Sequence, residues 1–175
     1  MSDQPALTCD SVPERRAWSK QLLESIAAHK PDLDRGNPDQ FAPGYSGLST
    51  SQQILFWAEM FVAIARFESN WKPQTIFHEP PPLGVDSIGL LQLSYEDEKN
   101  YHLEHLDRTA RSLEDPLVNL RCGVQIMSTL VAKDGVVASS DQKKHRGGAR
   151  YWSVLRAGRK IDDIRDAAKA AVGLT

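Results

Sequence analysis

The stretch Ile54-Leu55-Phe56-Trp57-Ala58-Glu59-Met60-Phe61-Val62-Ala63-Ile64-Ala65-Arg66-Phe67-Glu68 decides the fold. Its apolar residues cover nearly every face of a helix, and such a helix is buried on most sides. Glu59 interrupts the run, which is far short of the ~20 residues that span a bilayer. It therefore reads as a core helix, predicted to start near Ser49 to Ser51 and to run to about Phe67. Directly after it, Pro73, Pro80, Pro81, Pro82, Gly84 and Gly89 break residues 69–93 into an irregular segment able to hold a small hairpin.

Upstream, Ser11-x-x-Glu14 with Pro13 between them matches a capping box. Trp18, Leu22 and Ile26 then recur at helical spacing, which predicts a helix to about Lys30. Residues 1–10 read as a loose leader and residues 31–48 as a surface connection rich in Pro, Gly, Asp and Asn. Downstream, Ser94 is placed to cap a helix from Tyr95 to about Leu106. Asp115-Pro116 is a strong helix start, and Leu117, Leu120, Val124, Met127 and Val131 lie on one stripe beyond it. Gly147-Gly148 marks a turn before a short helix at Ala149 to Arg156, and Ile161, Ile164, Ala168 and Ala171 outline a final amphipathic helix. The expected class is mainly α. One helical domain, residues 11–175, surrounds a buried central helix with a small irregular or β insertion after it.

The 175 residues suit a single domain, and 41% hydrophobic with 25% charged residues is an ordinary globular balance. A net charge of -2 argues against a bulk electrostatic grip on nucleic acid. The run Lys143, Lys144, His145, Arg146 reads as a solvated loop, or as a patch that steers the protein toward an anionic polymer. Cys9 and Cys122 are too few for a disulfide framework or a thiolate zinc site, and they are not expected to pair. His102 and His105 have a ligand-like spacing but sit beside acids on a helix expected to be exposed, so zinc is not expected. No cofactor, metal or membrane partner is anticipated. The first 30 residues contain no apolar h-region, so no secretory signal peptide is visible.

Glu68 is the first candidate for chemistry. Phe67 and Trp71 make its surroundings apolar, and desolvation favours the protonated carboxyl. A helix C-terminus, with its partial negative charge, acts in the same direction. A carboxylic acid kept protonated near neutral pH is what a glycosidase needs to protonate a leaving sugar oxygen. The competing reading is a helix-end glutamate exposed to water.

Around it, Ala65-Arg66-Phe67-Glu68-Ser69-Asn70-Trp71 is followed by Ser87-Ile88-Gly89-Leu90-Leu91-Gln92-Leu93-Ser94, then by Asp115-Pro116-Leu117-Val118-Asn119-Leu120 with Gly123, then by Ala149 to Tyr151. In this order the segments resemble the lysozyme-like superfamily, in its soluble lytic transglycosylase and goose-type lysozyme branch. That branch pairs a Glu-Ser motif at the end of a buried helix with a downstream Gly-Leu-Met-Gln motif, whose Met is replaced here by Leu91. The resemblance spans about Ser51 to Arg156 and implies an α+β lysozyme-like fold that cleaves the β-1,4 glycan strands of peptidoglycan. By position it implies that Glu68 is the general acid, that Ser69 lies near the scissile bond, that Gln92 contacts sugar, and that Tyr151 hydrogen-bonds the catalytic glutamate. Ser87 belongs to the same cleft-forming segment. Trp71 and Trp152 adjoin motif residues and suit either sugar stacking or the core.

The second carboxylate decides the mechanism. An inverting hydrolase needs a base across the cleft, and Asp86 is the first candidate, with Glu79 next. Ser94 stands where the goose-type pattern often has Asp, and a lytic transglycosylase needs only one glutamate. The resemblance favours the bond after N-acetylmuramic acid, with a glucosaminidase as the alternative. Because the substrate lies outside the cytoplasm, three origins fit: a type VI secretion effector with a cognate immunity protein that plugs the cleft, a phage-type lysis enzyme, or an exported enzyme whose signal is missing. From a different class, a non-catalytic glycan-binding or assembly module also fits.

Overall fold

The structure, a computed structural model, describes residues 6–141 and 144–175. The chain enters through two 3-10 turns, Thr8–Ser11 and Pro13–Arg15, and then forms α1 (Arg16–Asp34). The capping box expected at Ser11 is not formed. Leu7 and Cys9 are instead buried against the core, and the Thr8 N–H and hydroxyl both donate to Glu59 Oε1, at 2.7 and 3.1 Å. Residues 7–10 are therefore packed rather than loose, and residues 1–5 of the expected leader lie outside the described residues. Pro31 does not end α1 either. One further turn carries Leu33 into a fully buried position, and that burial outweighs the hydrogen bond a proline forfeits.

The expected surface connection is partly ordered. It holds the short α2 (Pro38–Phe41) and a 3-10 turn at Tyr45–Gly47. The Tyr45 hydroxyl explains the order, since it donates to Asp34 Oδ1 at 2.9 Å and accepts from Trp57 Nε1 at 3.1 Å.

Ser49 opens α3 (Thr50–Ser69), where Ser49 and Gln52 form the reciprocal capping bonds. This is the apolar run read from the sequence. Phe56, Met60, Phe61 and Ile64 are fully buried, each contributing roughly 1.5–3 kcal/mol of transfer free energy. β1 (Ile76–His78) and β2 (Asp86–Ile88) follow as an antiparallel hairpin, paired Ile76 with Ile88, Phe77 with Ser87 and His78 with Asp86.

α4 (Asp97–Tyr101) is far shorter than the helix expected to Leu106. His102 takes a left-handed φ of 53°, and the Leu106 N–H turns back to the Glu98 carboxylate at 2.7 Å. α5 (Pro116–Asp134) begins as predicted, with Asp115 Oδ1 accepting from the Leu117 N–H at 2.8 Å. β3 (Ala138–Ser140) pairs with β4 (His145–Gly147). Of the basic run, Lys143 lies outside the described residues, whereas His145 and Arg146 lie on β4. The short helix expected at 149–156 is two 3-10 turns, Gly148–Arg150 and Ser153–Leu155, separated by an extended Trp152 whose ring is buried. α6 (Arg159–Ala171) closes the fold and buries Ile161, Ile164 and Ala168.

α1 packs on α5 and α3, and α6 packs on α3, so the apolar helix is enclosed as predicted. The mainly helical fold with small antiparallel sheets is the one expected from the sequence. Cys9 and Cys122 are both buried and unpaired with each other. No helix among the described residues is long and apolar enough to cross a membrane.

Candidate active site

Glu68 lies in the last turn of α3, which stops because Asn70 and Trp71 both adopt left-handed backbone, with φ of 51° and 58°. Asn tolerates that conformation well. The helix end is stitched to the Gly-Leu-Leu-Gln segment by Ser69, whose buried hydroxyl lies 3.0 Å from Ala65 O and 2.9 Å from Leu90 O. Ser69 is thus a brace beneath the site and does not line the cleft.

Asn119 on α5 supports the same segment from the other side. Its Nδ2 donates to Ile88 O and Leu113 O, each at 2.9 Å, and its Oδ1 accepts from the Leu91 N–H at 2.9 Å. Gly89, with φ of 80°, runs directly over this amide. A Cβ there would stand 2.3 Å from Asn119 Nδ2, which is why only glycine fits.

Above these braces opens a cleft of about 930 Å³ whose walls include Glu68, Glu79, Ser87, Gln92, Asp97 and Tyr151. Burial pushes the Glu68 carboxyl up to about 7 from its ordinary 4.5; the Lys160 ammonium opposes the rise and the Glu79 carboxylate adds to it. At neutral pH the group is poised between acid and base.

Strand alternation sorts the other carboxylates. Ser87 faces the cleft and donates to Glu79 Oε1 at 2.9 Å. Asp86, the first-choice base from the sequence, is not among the cleft-lining residues; its carboxylate meets His78 Nδ1 at 2.5 Å on the outer part of the hairpin. Successive side chains of a strand point to opposite faces, so placing Ser87 in the cleft turns Asp86 away. Gln92 lines the cleft with its Nε2 donating to Gly89 O and Thr75 O, at 2.9 and 3.2 Å. Tyr151 also lines the cleft, but its hydroxyl donates to Asp97 and not to Glu68. Trp152 donates through Nε1 to Leu91 O at 2.9 Å, and Trp71 to Val62 O at 2.8 Å. Trp71 is outside the cleft lining, and Trp152 is nearly fully buried.

The transglycosylase SLT domain family matches residues 49–139, the span that holds Glu68, the Gly-Leu-Leu-Gln segment and Asn119. The chain belongs to this family. Its members are lytic transglycosylases of the lysozyme-like superfamily that act on peptidoglycan. The SLT domain here is also similar to solved structures of Bd0314 DslA. The wild-type form 2 is 33% identical, with a TM-score of 0.83 over 99% of this chain and 100% of that one. A glutamate-to-glutamine mutant of DslA is 34% identical, with a TM-score of 0.81 over 95% of each chain. No curated protein matches in sequence.

One cleft residue of this SLT domain escaped the sequence reading. Asp97 is only 5% exposed, and its Oδ2 accepts from the Ser94 N–H at 2.8 Å as well as from Tyr151. Burial raises its carboxyl affinity for the proton, and the Tyr151 hydrogen bond opposes that. The signal is Ser94-x-x-Asp97, the half of a capping box in which the carboxylate reaches back to the N–H of the capping residue. Among the described residues, no group of three or more His, Cys, Asp or Glu side chains is placed to hold a metal.

Proposed function

We propose that this SLT domain cleaves the β-1,4 bond after N-acetylmuramic acid in peptidoglycan by hydrolysis, with Glu68 as general acid and Glu79 as the second carboxylate. The carrying observation is that both line one cleft, close enough for the charge of Glu79 to act on Glu68. Glu68 protonates the leaving oxygen, and Glu79, oriented by Ser87, accepts a proton from the attacking water. Spacing supports the pair. The two DslA glutamine mutants replace glutamates eleven positions apart, as Glu68 and Glu79 are here. Ser87 and Gln92 are assigned as polar walls of the sugar site. In this reading Asp86 has no catalytic role.

Mass spectrometry of digested peptidoglycan tests the reaction. Reducing-end muramic acid is expected, with Glu79→Gln lowering the rate at least ~10²-fold, the low end of acid–base catalysis. The family match favours a second reading, in which the substrate's own hydroxyl attacks and Glu68 serves alone. Anhydro-muramyl products from a fully active Glu79→Gln variant would establish that reading. Failure of the wild type to cut any peptidoglycan would leave the non-catalytic module.

The proposed place of action is the cell wall of a target bacterium, as an antibacterial effector, because the polymer lies outside the cytoplasm. A producer would then need a cognate inhibitor that fills the cleft at Glu68 and Gln92. Periplasmic expression should lyse a test bacterium and cytoplasmic expression should not. Harmless periplasmic expression of a protein that cuts purified peptidoglycan would reject the effector role.

A further inference from the structure

The cleft is lined by four acidic side chains, Glu68, Glu79, Glu96 and Asp97, and by two arginines, Arg150 and Arg156. Arg150 is neutralised, since its Nε and Nη2 bind the Asp134 carboxylate at 2.5 and 2.9 Å. Arg156 is not. Its Nε donates to Ala149 O at 3.1 Å, and among the described residues no carboxylate stands within ion-pair distance of it. A guanidinium presents five N–H donors in a rigid fork. Here the bond to Ala149 fixes the stem of that fork and leaves its two terminal nitrogens unspent in the wall of the cleft.

Four residues on, Lys160 is likewise without a carboxylate partner among the described residues. Its ammonium lies 5.8 Å from the centroid of the Phe67 ring, beside Glu68. The charge of Lys160 acts on Glu68, whereas that of Arg156 is not among the influences on Glu68. A half-buried, oriented and unpaired guanidinium in a cleft is a receptor for a carboxylate, which it binds through paired charge-assisted hydrogen bonds.

The chemistry of the polymer supplies such a group at one sugar only. N-acetylglucosamine is neutral. A muramyl residue carries a lactyl ether whose carboxyl is either free or amide-linked to a peptide that bears carboxylates of its own. We propose that Arg156 binds a substrate carboxylate, borne on the lactyl group of a muramyl residue or on its attached peptide, and thereby selects the sugar that sits beside Glu68. The proposal rests on the reading of the cleft as a peptidoglycan site.

Binding to the Glu68→Gln protein, with Arg156 intact or replaced, tests it by calorimetry on three ligands: a neutral chitin oligosaccharide, a muramyl glycan with free lactyl carboxylates, and one with peptides attached. Arg156→Gln should weaken a carboxylate-bearing ligand about tenfold or more, as expected for loss of a charge-assisted hydrogen bond, and leave chitin binding unchanged. Unchanged chitin binding also reports an intact cleft. Arg156→Lys should restore part of the affinity, because it keeps the charge but not the fork. Whichever muramyl ligand loses affinity names the source of the carboxylate. Equal weakening for all three ligands, or no change for any, overturns the proposal while leaving the cleft's assignment standing. If the parent binds chitin but neither muramyl glycan, both fall together.

Discussion

Glu68, in the last turn of α3, and Glu79, one residue beyond β1, line the same cleft, and the negative charge of the second strengthens the hold of the first on its proton.

Glu68→Gln should lower peptidoglycan cleavage at least ~10²-fold with the fold retained, because glutamine keeps the shape and removes only the transferable proton. Zymography and circular dichroism on the same preparation check both halves. Activity within a factor of two of wild type would remove Glu68 from the mechanism.

The pH dependence follows from the raised carboxyl. Glu68 ionises near 7 when folded and near 4.5 when free. A folded value above the unfolded one makes its contribution most favourable below pH 4.5, and that contribution is lost as pH rises through 7. The stability difference between wild type and Glu68→Gln should therefore move against wild type across this window, as read from urea melts. Cleavage by wild type should decline on the alkaline side of about 7. Replacing Lys160 by Met removes a charge that favours ionisation, so that decline should shift to higher pH. A shift to lower pH would contradict the placement of Lys160 near Glu68.

Asn119 makes three buried hydrogen bonds to the backbone of the cleft floor. Each group left without a partner costs about 1–3 kcal/mol, so Asn119→Ala should lose at least ~3 kcal/mol in chemical denaturation. It should also lose activity, because Leu91 and Gln92 are held in register by those bonds. Gly89→Ala should behave similarly, since its Cβ would fall 2.4 Å from Leu113 O. Full stability in either variant would show that the floor is braced elsewhere.

Tyr151→Phe separates two roles for the phenol. Its hydroxyl goes to Asp97, so its loss leaves a buried carboxylate short of a donor. The melting midpoint should drop while the alkaline limb of the activity profile stays in place. A moved limb would indicate a direct contact with Glu68 instead.

How much of this was legible depended on the kind of signal. α3 was readable because an all-round apolar surface has one physical solution, and its start was placed near Ser49 to Ser51, where Ser49 proves to be the cap. α5 was readable from Asp115-Pro116. α4 was overextended, since the chain beyond Tyr101 holds Leu103 and Leu106 without continuing the helix. Both are indeed buried, but in a loop that the left-handed His102 redirects. In the site, Glu68 was visible from its place at the end of the apolar run. Asp86 was ranked ahead of Glu79 and the structure reverses the order, because in a strand of three residues the register alone decides which side chain looks inward, and register is set by pairing with a distant segment. Asp97 and Arg156 were missed because their significance lies in which partners they have or lack, and partners are a property of the folded chain.

The bond between Thr8 and Glu59 has a consequence for how the chain can be trimmed. Glu59 sits in the middle of the enclosed helix with 4% exposure, and its carboxylate is met there by the Thr8 N–H and hydroxyl. A protease or an expression design that removes residues through Thr8 takes away both donors and opens the hollow filled by Leu7. What remains is a buried carboxyl group stripped of its donors, which costs stability whether it stays charged or takes up a proton. The first residue that cannot be spared is therefore set by the middle of the protein: any cut must fall ahead of Leu7.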